Sequence, residues 1–122
     1  MCIRDRNLLN WNRELWLIDH GASLYFHHNW KNWESHLGRT FPKVNEHVLL
    51  AKANKLETAA EHIKEAVSDV RLNNIIKTIP DDWLLEESDD FLPDQKRTIY
   101  TQLLKSKLEN IDSLVKEAAD AR

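Results

Sequence analysis

At 122 residues with a net charge of -3, the chain has room for one domain and lacks the basic balance that a phosphate backbone demands, so nucleic acid is excluded as a partner. No apolar stretch approaches the roughly 20 residues of a membrane span, so no membrane partner is expected either. The single cysteine, Cys2, leaves no disulfide to form, which fits a cytoplasmic protein.

The first six residues, Met1 to Arg6, stand apart from the rest of the chain. Back-translated as ATG TGT ATA AGA GAC AG and one further base, they look like the end of a transposon adaptor used for sequencing libraries. Residues 1–6 are therefore expected to be a scar, with Asn7 the first native residue and 7–122 the remnant of one domain truncated on its N-terminal side. Neither Asp5 nor Arg6 is given a role on that reading.

Leu8 to Trp11 and Leu15 to Ile18 read as two short strands joined by the polar turn Asn12-Arg13-Glu14. The run Leu15-Trp16-Leu17-Ile18 predicts a strand covered on both faces, ending on Asp19 with Gly21 two residues beyond. A carboxylate just after a strand and before a glycine is placed to hold magnesium against nucleotide phosphates. It is equally placed to cap a helix beginning near Ala22, and both roles can coexist.

Beyond Ala22 the periodicity is helical. Phe26, Trp30, Trp33 and Leu37 share a face up to a stop at Gly38, and Pro42 opens a short segment with Val44, Val48 and Ala51 on one side. Asn54 and Glu57 resemble a capping box before a long amphipathic helix, irregular at Asn73-Asn74 and ended by Pro80. Its stripe runs through Leu56, Ala59, Ala60, Ile63, Ala66, Val67, Val70, Ile75, Ile76 and Ile79. Asp81 to Trp83 predicts a turn of helix and Glu86 to Asp90 a solvated acidic loop. A last helix starts at Pro93 and buries Ile99, Leu103, Leu104, Leu108, Ile111, Leu114, Val115 and Ala118. The expected fold is mainly α, a short N-terminal β-hairpin followed by a helical bundle.

The histidines argue against a metal centre. His27 and His28 are adjacent and diverge on a helix, and no His-x-x-x-His spacing occurs among the six. Trp30 and Trp33, at helical spacing with Phe26, are expected in the core rather than in an aromatic ligand box. The acidic run lacks the alternating ligands and central glycine of a calcium loop.

Asn7-Leu8-Leu9 and the run from Leu15 through Asp19-His20-Gly21 to Trp30 together resemble the C-terminal part of the HipA-like kinase family. Phe41-Pro42, His47 to Leu50 and Ile79 to Leu84 are similar in a less specific way. The resemblance implies a C-terminal kinase lobe, transfer of the ATP γ-phosphoryl to a protein hydroxyl, Asp19 as the magnesium ligand and His20 and Gly21 as its cofactor-binding neighbours. At 122 residues the chain is too short for two kinase lobes. Of the family's catalytic loop, which resembles Asp-Arg-Thr-x-x-Asn-x-Asn-Leu-Leu, only Asn7-Leu8-Leu9 remains, so the catalytic Asp, its metal-binding Asn and the nucleotide Lys are expected upstream of Asn7. The chain alone is thus expected to be inactive. The rival expectation is a non-catalytic helical interaction module in which Asp19 only caps a helix.

Overall fold

The computed structural model describes residues 8–18, 24, 30–85 and 90–122. It is mainly helical, with a short antiparallel hairpin at the N-terminal end of the described chain. Strands β1 (Leu8–Trp11) and β2 (Glu14–Leu17) pair in the register Leu8 with Leu17, Leu9 with Trp16, Asn10 with Leu15 and Trp11 with Glu14. Only Asn12 and Arg13 form the turn, both at positive φ, 52° and 67°. Two left-handed residues are what a two-residue hairpin of this twist requires, and asparagine tolerates that conformation better than arginine. Glu14 therefore belongs to β2 rather than to the turn, and Ile18 lies beyond the strand.

The apolar side chains of this hairpin lie open. The apolar run predicts burial on both faces, yet Leu15, Trp16 and Leu17 are 55%, 51% and 67% exposed. The alternation of a strand puts Leu9, Trp11 and Trp16 on one face and Leu8, Leu15 and Leu17 on the other, and both faces stay open.

The helical part is more broken than its periodicity suggests. Residues Trp30–His36 form 3-10 turns interrupted at Asn32 (φ -114°, ψ 21°), where an α-helical face through Trp30, Trp33 and Leu37 is expected. Trp30 is buried and Trp33 half-buried, while Leu37 is exposed. Gly38 then turns the chain at φ 64°, as a stop there requires. Two more 3-10 segments follow, Pro42–Glu46 and Leu50–Lys52, in which Leu50 is buried while Val48 and Ala51 are exposed.

The long central helix is two helices, α1 (Leu56–Ala66) and α2 (Asp69–Lys77). The break falls at Val67-Ser68, not at Asn73-Asn74. Ser68 Oγ accepts from the Arg71 backbone N–H at 3.2 Å, and the Arg71 guanidinium reaches back to the Ala66 carbonyl, so both new helix ends are served. At the start of α1 the residue before the first turn is Lys55, with no side-chain cap, so the proposed Asn54 box does not form. α2 buries Leu72 and Ile76, while Val70 and Ile75 face outward.

Helix α3 (Asp81–Leu84) follows Pro80 as expected. The last helix is again two, α4 (Pro93–Glu109) and α5 (Ile111–Asp120), separated by Asn110. The Asn110 amide donates to the Ser106 carbonyl at 2.7 Å, a local bond that competes with continuation of the helix. At the other end of α4, Pro93 occupies the first turn and the Leu92 N–H donates to Gln95 Oε1 at 2.8 Å. α4 packs against α2 and α3, and α5 packs against α1 and the 42–46 segment. Ion pairs bind the layers: Lys105 to Asp69 at 2.6 Å joins α4 to α2, and Lys64 to Asp112 at 2.6 Å joins α1 to α5.

Candidate functional site

Asp19, His20 and Gly21, the residues to which sequence reasoning assigns metal and cofactor contacts, lie outside the described residues, as do His27 and His28. What is described is the element that leads to them. β2 ends at Leu17, two residues before Asp19 in the chain. A carboxylate oxygen is the hard donor that magnesium prefers, so the chemistry of Asp19 fits that ion.

Further along the chain, Trp30 anchors a packed cluster with Ile99 and Leu103 buried and Leu24, Trp33, Phe91 and Tyr100 arranged around them. The Tyr100 ring meets Trp30 edge to face, centroids 5.4 Å apart at 84°. Burial holds the Tyr100 hydroxyl above its ordinary pKa, because phenolate would be poorly solvated there. Trp30 and Trp33 are thus core residues, while Trp83 is 80% exposed.

Sequence reasoning missed Lys96, the most deeply buried charged residue among those described, at 2% exposure. Its ammonium donates to the Leu84 carbonyl at 2.7 Å and stands 4.9 Å from the centre of the Trp30 ring, which solvates it through both a carbonyl and a π face. The lysine locks the C-terminal end of α3 to α4 and to Trp30. A signal for it exists in the sequence: Lys96 precedes Ile99 by three residues and Leu103 by seven, so it shares the apolar face of α4.

Arg97, one residue on, was also missed. Its guanidinium donates to Asp94 Oδ1 at 2.8 Å, to the Ile79 carbonyl at 2.7 Å and to Asp81, so it clamps the Pro80 corner to α4. The Asp81 hydrogen bond is the main cause that raises the Arg97 pKa, and the group stays a cation. Lys31 pairs with Asp90 at 2.6 Å across the segment that precedes α4. His47 Nδ1 accepts from the Leu49 N–H at 3.2 Å, a local hydrogen bond rather than a ligand's role.

Among the described residues no three of His, Cys, Asp and Glu converge as a metal site, and no helix is long and apolar enough to cross a membrane. The described site is therefore a packed support, Trp30 with Lys96, Tyr100 and Leu84, in a chain whose candidate chemical group lies on the segment after β2. Compared with known proteins, the chain finds no matching family model, curated protein or solved structure.

Proposed function

We propose that residues 7–122 are the C-terminal part of a HipA-like kinase, a cytoplasmic enzyme that transfers the ATP γ-phosphoryl to a protein hydroxyl. The observation that carries the reading is the run from Leu15 to Trp30, supported by a paired hairpin whose second strand ends two residues before Asp19. A hairpin apolar on both faces supports it further, since such a ribbon gains most of its stability when layers cover it on each side.

In the intact enzyme Asp19 would hold magnesium through its carboxylate, and His20 and Gly21 would form the turn that keeps this carboxylate beside the nucleotide. Bound magnesium supplies charge neutralisation for the phosphates. The remaining work falls to groups outside 7–122: a catalytic Asp to accept the hydroxyl proton and a Lys to hold the nucleotide. By itself the chain supplies neither and is inactive.

The genomic sequence upstream of Asn7 is the first test. An Asp-x-x-x-x-Asn loop ending in Asn7-Leu8-Leu9 is expected, and its absence sinks the reading. In the restored protein, Asp19→Asn should reduce magnesium-dependent ATP turnover to background; turnover that persists removes Asp19 from the site. A restored protein with no turnover before mutation favours a helical interaction module.

A further inference from the structure

The segment between Gly38 and Lys43 crosses the C-terminal helices as a loop held from several sides. The Gly38 N–H donates to Ser106 Oγ at 2.9 Å, the Phe41 N–H donates to Glu117 Oε2 at 2.9 Å, and the Lys107 ammonium donates to the Arg39 carbonyl. Side chains from α4 and α5 thus fix the loop's backbone at three points. With its polar backbone groups held in this way, the loop presents Arg39, Phe41 and Lys43 from a preset frame.

Beneath the loop lies a pocket of about 970 Å³, floored by Leu24, Leu103 and Leu104 and walled by Phe41. Arg39, Lys43 and Lys107 line it, and among the described residues no carboxylate does. The pocket rim is thus cationic in a chain whose net charge is -3. Among the described residues neither Arg39 nor Lys43 has an ion-pair partner. Three like charges around one concavity repel one another, and an anion placed among them relieves the repulsion.

We infer that this pocket binds a small amphipathic anion, an apolar carbon body seated on Leu103 and Leu104 with one carboxylate or phosphate between Arg39 and Lys43. The volume lies in the range of small-molecule sites, which pair an apolar lining with a few placed polar groups. The guanidinium of Arg39 suits a planar carboxylate or a phosphate through two parallel hydrogen bonds. Because the loop is already held in place, little ordering cost is left for binding. The inference does not depend on the kinase reading, since none of its residues touches Asp19's role.

Calorimetric titration of the full chain with decanoate, decyltrimethylammonium and inorganic phosphate, each below its micellar range where it has one, tests the inference. Decanoate is expected to bind at least about tenfold tighter than the cation of equal chain length and than phosphate alone, about 1.4 kcal/mol. The exposed double variant Arg39→Glu/Lys43→Glu should weaken decanoate by about tenfold or more, and Trp16→Ser/Leu17→Ser on the open hairpin should leave it unchanged. Equal affinity for both head groups, phosphate as tight as decanoate, an unaltered double variant, or loss of binding in the hairpin variant would each overturn it.

Discussion

The hairpin and the Trp30 cluster are built from the same kinds of residue and end in opposite states. Trp16 and Leu17 are half to two-thirds exposed, whereas Trp30 is 8% exposed and Leu103 4%. Composition does not separate them; neighbours do. Trp30 has Ile99, Leu103 and Tyr100 around it and the Lys96 ammonium above its ring, all but Trp30 itself supplied by α4. The hairpin's two strands have each other, and a two-stranded ribbon has no third layer of its own to bury either face. An apolar side chain stabilises a fold only through the area it removes from water, so equal residues contribute unequally.

That contrast sets an order of expected effects. Trp30→Ala should cost about 3–5 kcal/mol in a denaturant titration followed by circular dichroism, because it opens a cavity and strips the π face from a buried lysine. A loss below about 1 kcal/mol would mean that the cluster does not carry the fold. Ser68→Ala should cost about 1 kcal/mol, since the Arg71 N–H loses its acceptor and α2 its start. If Ser68→Ala is silent, the break between α1 and α2 is set by packing alone. Trp16→Ala should change stability by no more than about 1 kcal/mol, as befits a side chain half in water. A cost near that of Trp30→Ala would abolish the distinction between the two regions.

Much of the fold was legible along the chain because it depends on near neighbours. The hairpin, the stop at Gly38, the start of a segment at Pro42, the turn after Pro80 and the start of α4 at Pro93 all follow from local backbone preference, the prolines by fixing φ and Gly38 by tolerating a positive one. The breaks at Ser68 and Asn110 were less legible, because the apolar spacing runs through both and the interrupting bond is a single side chain to backbone contact. Asn73-Asn74 looked the weaker point and stays helical, with Thr101 Oγ1 3.5 Å from Asn73 Oδ1 on the facing helix.

The candidate site divides in the same way. Asp19, His20 and Gly21 were found from their order in the chain, and they lie outside the described residues. Lys96 and Arg97 were passed over because a charge on a helix is ordinarily solvated; what buries Lys96 is an indole and a carbonyl 66 and 12 residues away in sequence. Sequence by itself determined the hairpin, the helical character of the rest and the acid that follows β2, since each is a property of adjacent residues. Only the tertiary structure decided which apolar residues are buried and which cations are paired. It also decided that Arg39, Lys43 and Lys107 share one pocket, for burial and charge proximity are set by segments that sequence does not bring together.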